Sequence, residues 1–373
     1  MVKLVDTPDL GSGTERCGGS SPFTRSLFNK FSLIIKILIL LLIIFISPIN
    51  GGVQKRPKQF RILLAGDVMF DWGLRETMQK RGFYSPIENL VPIFDEADLK
   101  MFNLETPVSS YASPDPTKSY VFNAKPEELN LLNRLDVDMV FLANNHTMDY
   151  GKEGLIETIR NLGLKGILYA GAGLNSTEAF LPKKINYKNY QLQVSSASAI
   201  GETRLFATPE LPGAAAYSVS RLSKIPKKGS EVFEILSLHW GVEYNPEPTK
   251  EQIEGAHKLI DSGFHVIAGH HPHIPQGIEK YNDGLIIYSM GNFMFGSQNQ
   301  YLNHNIAIML TIQNNRLLTC EIIPIFGKFQ KDEHIIYPLF GEQANNFLEE
   351  ISYLSQKLST RIIIRNGRGY IYF

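Results

Sequence analysis

Six short apolar runs, each carrying near its end a residue able to bind a metal or move a proton, constrain this chain more than any other feature. They are FRILLAGD to Asp67, LKMFNLE to Glu105, VDMVFLANNH to Asn145 and His146, EVFEILSLHW through His239, FHVIAGHHPH to His271 and His273, and GLIIYSMGNF through Asn292. Continuous runs of this kind are what strands look like when both of their faces are buried. Singly, each polar residue has an ordinary explanation: Asp67 as a turn or helix cap, Asn144-Asn145 as a turn former, His239 as a packed core histidine. Six at six strand ends are harder to explain that way. Polar groups at the edge of an apolar sheet are costly unless something satisfies them, and metal ions would.

Amphipathic segments separate the runs. Residues 127–135 place Leu129, Leu132 and Leu135 at helical spacing, and residues 152–162 place Leu155, Ile159 and Leu162 ahead of a stop at Gly163. Thr249 and Gln252 form a capping box before Ile253, Ala256, Leu259 and Ile260, with Gly263 as the end. Strands alternating with helices predict an α/β fold, in which ligands gather beyond the carboxyl ends of the strands. Farther on, IAIMLTIQNNRLLTCEIIPI reads as a hairpin turning at residues 313–316, followed by a helix with Phe347, Ile351, Leu354 and Leu358. The stretches SSYASPDPTK (109–118) and ATPELPGAAA (207–216) are loops able to wall a site. Residues 60–373 are expected to form one domain.

With only two cysteines, Cys17 and Cys320, a disulfide framework and a cysteine zinc site are excluded, so any metal is held by His, Asp, Glu and Asn. In His271-Pro-His273 the imidazoles are two apart, and on an extended segment both would face one site. Together with Asp67, Glu105, Asn145 and His239 they make a two-metal inventory. Such a mixture suits Mn, Fe or Zn, with a carboxylate bridging ions about 3.5–4 Å apart. His257, His265, His270, His304 and His334 lack this support and are expected to be surface or packing residues. The 37 basic and 37 acidic residues cancel, which removes any global electrostatic argument for nucleic acid or a polyanionic partner and requires substrate charge to be met locally. No P-loop, dinucleotide-binding G-x-G-x-x-G or G-x-S-x-G motif is present, so ATP-driven ligation would need a partner subunit.

Ahead of the domain, residues 31–46 read FSLIIKILILLLIIFI behind Arg25 and Lys30. This predicts a signal peptide or an N-terminal membrane anchor at 26–52, with the domain outside the cytoplasm, in the periplasm or on the cell surface. Residues 1–25 show no periodicity and are expected to be disordered or an artefact of an upstream-extended reading frame.

From Phe60 onward the chain resembles the CapA family of capsule or poly-γ-glutamate biosynthesis proteins, whose domain is similar to the calcineurin-like metallophosphoesterases. The resemblance is carried by GDVM at Gly66, NLETP at Asn103, ANNHTMDYGKEGL at Ala143, GAGLN at Gly171, HWGVEYNPEPTKEQ at His239, GHHPHIPQGIE at Gly269 and IYSMGNFMF at Ile287. It implies two central β-sheets flanked by helices, an α/β/β/α sandwich. It also implies Asp67 and His273 on one ion, Asn145, His239 and His271 on the other, and Glu105 between them. His146 would stand beside the centre as general acid, and Asp149, three residues on, would orient it. The implied activity is a hydrolase using metal-activated water on a phosphoester or on an anionic polymer such as poly-γ-glutamate, alongside membrane proteins of capsule synthesis or export. Glu243, Tyr244 and Asn292 are expected near substrate or behind the ligands. The alternatives are a membrane-tethered scaffold for polymer or export machinery, and a general phosphodiesterase or phosphatase. Metallophosphoesterases typically carry Asp-x-His on the first strand; here Met69 takes the histidine's place, which fits the CapA pattern, and thioether sulfur offers little to a hard divalent ion.

Overall fold

The computed structural model describes residues 59–226, 231–297, 302–327 and 333–373. The expected leader at 1–25 and the signal or anchor segment at 26–52 lie outside the described residues. Among the described residues no helix is long and apolar enough to cross a membrane.

The described strands fall into two large sheets and one small one. The larger is built on β1 (Phe60–Met69), with β2 (Leu99–Leu104), β3 (Met139–Phe141) and β4 (Leu168–Ala170) following outward in parallel. On the other side of β1, β14 (His304–Gln313) and β15 (Arg316–Phe326) run antiparallel and lead to β18 (Arg368–Tyr372) and β17 (Ile363–Arg365). Strand β13 (Asn292–Phe295) pairs in parallel with β1, and β16 (Tyr337–Pro338) with β15. The second sheet runs β11 (Ile278–Tyr281), β12 (Gly284–Ile287), β10 (Val266–His270), β9 (Phe233–His239), β7 (Tyr190–Ser198) and β6 (Lys183–Tyr187). The short strands β5 (Ala172–Gly173) and β8 (Gly213–Ala214) form a separate ladder.

Side-chain alternation explains the layering. On β1, Ile62 and Leu64 face a core shared with Val194, Ile235, Val266 and Ile287 of the second sheet, so the two sheets pack face to face. Leu63 and Ala65 face the opposite way, into a core with Leu132, Leu155 and Leu162 from the helices Leu129–Arg134 and Gly151–Leu164. Leu236, Leu238 and Ile267 on the outer face of the second sheet meet Ala256, Leu259 and Ile260 of the helix Lys250–Ser262. The architecture is therefore an α/β/β/α sandwich, with β1, β9 and β10 apolar on both faces.

The Thr249 capping box forms, with Thr249 Oγ1 accepting from Gln252 N at 3.2 Å and Gln252 Oε1 from Thr249 N at 2.9 Å. Three element boundaries differ from expectation. Gly163 lies inside the helix Gly151–Leu164, whose turn comes at Gly166 with φ +71°. Residues 127–135 divide into a 3-10 turn, Pro126–Glu128, and the helix Leu129–Arg134. Leu358 falls beyond the helix Gly341–Gln356. The run GLIIYSMGNF is two strands: β12 belongs to the second sheet and β13 to the first, so this segment crosses between them.

One buried acid gives the fold a pH signature. Glu234 on β9 is buried on the face of the second sheet that carries Leu236 and Leu238, and among the described residues its oxygens accept from Gln193 Nε2, at 3.2 Å. Burial raises its pKa to about 7, while Gln193 and the charge of Lys184 pull it down. A raised acid contributes stability that is fully present below its unfolded pKa of about 4.3 and is lost as pH rises through about 7. Glu234→Gln is therefore expected to unfold in urea about 1–2 kcal/mol later than the parent at pH 8 and together with it at pH 4.

Candidate metal centre

The expected residues converge where the carboxyl ends of β1, β2, β3, β9 and β10 meet between the sheets. Asp67 sits two residues before the end of β1, opposite Asn103 on β2 and Asn292 on β13, at a shift in register between Ala65 and Asp67. Two glycines permit this crowding. A Cβ on Gly66 would lie 1.9 Å from Gly291 O, and one on Gly269 1.9 Å from Tyr288 O.

Glu105 is fully buried, with Oε1 3.5 Å from His239 Nε2 and 4.0 Å from both His146 Nε2 and His273 Nε2. Two donor groups share it: Asp67, Glu105 and His273, and Glu105, His239 and His271, the ligand atoms of each lying within 4.8 Å of one another. Asn145 Oδ1 lies 2.7 Å from His239 Nε2. Asn292 Oδ1 lies 2.9 Å from His273 Nδ1, behind the imidazole. The ring of Tyr244, half exposed, is 6.2 Å from that of His273, and Glu243 is exposed on the same loop.

His146 stands beside this cluster. Its Nδ1 is 2.6 Å from Asp149 Oδ2, and Phe122 stacks on its ring at 4.0 Å. Asp149 is fully buried; it also accepts from Phe122 N at 2.8 Å and pairs with Lys118, whose Nζ reaches Asn145 O at 2.5 Å.

The expectation that His271 and His273 share an extended segment is corrected: their φ angles are +97° and +59°. Both occupy backbone conformations that cost energy in a non-glycine residue and persist where the surroundings impose them. Their rings nevertheless lie 5.9 Å apart. His270, expected at the surface or in packing, is wholly buried with Nδ1 3.2 Å from Asp67 Oδ1. Residues that sequence reasoning passed over complete the site. Asn103 donates to Asp67 Oδ1 at 2.8 Å, and Asn144 donates to Asn103 Oδ1 at 3.2 Å and to Leu104 O at 2.9 Å. The available signals were an asparagine inside the apolar run LKMFNLE and a lysine ending the 109–118 loop.

Met69 Sδ accepts from Asp71 N at 3.0 Å, and the side chain packs with Phe122 and Phe295. The thioether is thus part of a small apolar cluster.

Burial suppresses most of the charges here. It raises the Glu105 carboxyl well above the usual range, helped by the charge of Asp67. It lowers His239 well below the ordinary imidazole value, with His271 adding to the effect, and lowers His271 to about 3, with His273 adding. Burial opposes ionisation of Asp67 as well, but His270 and His273 outweigh it and hold the carboxyl well below its usual value. His273 moves the other way: burial lowers it, yet Glu105, Asp67 and Asn292 bring it to about 9. Neutral imidazoles are the form in which histidine binds a metal.

The fit to cations is tested by hydrogen bonding. Among the described residues, both oxygens of Glu105, Nδ1 of His271 and both ring nitrogens of His270 are buried without a hydrogen-bond partner, although such groups are ordinarily satisfied. The donor set is compatible with divalent metal ions. Fold and site together define a two-sheet α/β/β/α protein with a carboxylate, imidazole and amide centre at its strand ends.

The chain belongs to the bacterial capsule synthesis protein family PGA_cap, whose model matches residues 61–297, more than half of its length. It is 28% identical over 296 residues to the capsule biosynthesis protein CapA of Bacillus anthracis, covering 75% of this chain and 70% of that one. It is likewise 28% identical over 270 residues to the PGA biosynthesis protein CapA of Bacillus subtilis (strain 168), covering 70% of each. Among solved structures, a novel phosphatase of Mycoplasma pneumoniae aligns with TM-score 0.48 and 13% identity, over 72% of this chain and 94% of that one. The NAD nucleotidase of Haemophilus influenzae aligns with TM-score 0.46 and 10% identity, over 79% and 62%.

Proposed function

We propose that this chain is a divalent-metal-dependent hydrolase of capsule biosynthesis, acting outside the cytoplasm on an anionic polymer such as poly-γ-glutamate or on a phosphoester. The observation that carries the reading is Glu105, a buried carboxylate with no hydrogen-bond partner, facing three imidazoles at 3.5–4.0 Å. Asp67, Glu105 and His273 would hold one ion, and Glu105, Asn145, His239 and His271 the other. Such ions lower the pKa of water toward about 7 and stabilise developing negative charge.

The chain's own residues supply the rest. Asn103 fixes Asp67 by a hydrogen bond, with His270 Nδ1 3.2 Å away, and Asn292 fixes His273. Asp149 sets the tautomer of His146 by accepting at Nδ1, leaving Nε2 to face the site. Burial lowers the His146 pKa and Asp149 opposes that shift. An anionic substrate entering beside Nε2 raises it, so the imidazole takes up a proton as substrate binds and delivers it to the leaving group. Tyr244, half exposed beside His273, offers a hydroxyl at the rim.

The engaged thioether of Met69 favours one second reading, a non-catalytic scaffold that binds polymer or export proteins with an incomplete centre. Elemental analysis of the full chain, purified in detergent and dialysed against Mn²⁺ or Zn²⁺, decides between them. Close to two ions per chain, with hydrolysis of poly-γ-glutamate or an aryl phosphodiester, is expected. A metal-free, inactive protein that still binds the polymer would establish the scaffold instead.

A further inference from the structure

We propose that Glu243 is a ligand of the metal centre, delivered from the loop after β9 at its solvent side. This rests on the metal-centre reading above and adds to it a donor drawn from outside the strand ends.

The carboxylate of Glu243 forms with His271 and His273 a third donor group, its ligand atoms within 4.8 Å of one another, as close as the two groups built on Glu105. The placement is imposed by backbone. Tyr244 N donates to Pro272 O, the carbonyl between the two histidines, at 2.9 Å. One residue on, Asn245 O accepts from Gln276 Nε2 at 2.8 Å. Gly241, with φ +91°, turns the chain off β9, and Tyr244, His271 and His273 all have positive φ. Two segments in costly conformations, tied to each other by a main-chain hydrogen bond and by one from the Gln276 side chain, bring one carboxylate to two imidazoles; strain of this kind gathers where a site is pre-organised.

Donor arithmetic points the same way. With Met69 engaged by Asp71 N and packed against Phe122 and Phe295, Asp67, Glu105 and His273 are left as three protein donors on that side, and divalent ions take four or more. Glu243 adds a donor beside His273, the residue common to its group and to that of Asp67 and Glu105. It also resolves an electrostatic conflict, because a free carboxylate at the mouth would repel an anionic substrate, whereas a ligated one has its charge neutralised.

The test is titration of Mn²⁺ or Zn²⁺ alone into the metal-free full chain in detergent, followed calorimetrically or by chelator competition. Even residues one layer behind a ligand cost about 10- to 100-fold in metal affinity when replaced. Glu243→Gln is therefore expected to weaken one of two ions about tenfold or more and to leave the other unchanged. Glu243→Asp, which keeps the charge on a shorter arm, should fall between variant and parent. Both should match the parent's metal-free melting temperature, since Glu243 is exposed. Two ions bound by Glu243→Gln with the parent's constants would overturn the assignment and leave the metal centre standing. No ion bound by the parent would overturn both.

Discussion

Replacing His146 by alanine is expected to lower turnover by about 100- to 10,000-fold, the range for losing a positioned proton donor, while leaving the metal content at the parent's level. The separation follows from geometry. His146 Nε2 stands 4.0 Å from Glu105, outside the two donor groups that share Glu105, and its Nδ1 is occupied by Asp149 at 2.6 Å. The measurement is kcat on whichever of poly-γ-glutamate or an aryl phosphodiester the parent cleaves, with elemental analysis of the same preparation. Asp149→Asn should lose less, because an amide can still accept at Nδ1 but cannot stabilise the protonated ring. Loss of metal in His146→Ala would place His146 among the ligands, and unchanged kcat would remove it from the mechanism.

How far the site could be seen in the sequence depends on what each residue needs from the fold. Asp67, Glu105, Asn145, His239, His271 and His273 are visible because each interrupts or ends an apolar run, and a buried strand end is where polar side chains are most expensive. Asn103 and His270 were harder to see: they stand next to visible residues, and only the register of β1 against β2 and the end of β10 bring them to Asp67. Lys118 was hidden for a different reason. It closes a Pro/Ser-rich loop, and nothing local says that its ammonium returns to Asp149 thirty-one residues later.

The fold was legible to a similar degree. Continuous apolar runs announced strands buried on both faces, and β1 dividing its side chains between two cores fits that pattern. Periodicity could not show which sheet a run joins, so GLIIYSMGNF read as one strand although Gly291, at φ +74°, turns the chain from β12 toward β13. The His271-Pro-His273 geometry was equally out of reach, because positive φ in a histidine is decided by tertiary contacts and not by its neighbours in sequence.

Glu105→Gln is expected to abolish the stabilisation that divalent ions confer, with little effect on the metal-free protein. A ligand bound at a thousand times its Kd adds about 4 kcal/mol to folding stability, and the parent, binding two ions, should gain at least that much with Mn²⁺ or Zn²⁺ in excess. Glu105 belongs to both donor groups, so its amide variant weakens both ions and its urea midpoint should hardly respond to added metal. In the metal-free state the carboxylate makes no hydrogen bond while wholly buried, and burial disfavours its charged form. An isosteric neutral amide gives up the attraction of the carboxyl to His273 but removes the cost of burying its charge, and the variant should unfold no earlier than the metal-free parent. Denaturation with metal and with chelator separates the cases. A variant less stable than the parent in chelator would mark Glu105 as a structural residue, and a variant as strongly stabilised by metal as the parent would remove it from the centre. The expected pattern, no loss of stability without metal and a gap of at least about 4 kcal/mol with it, is what a residue kept for the ion would produce.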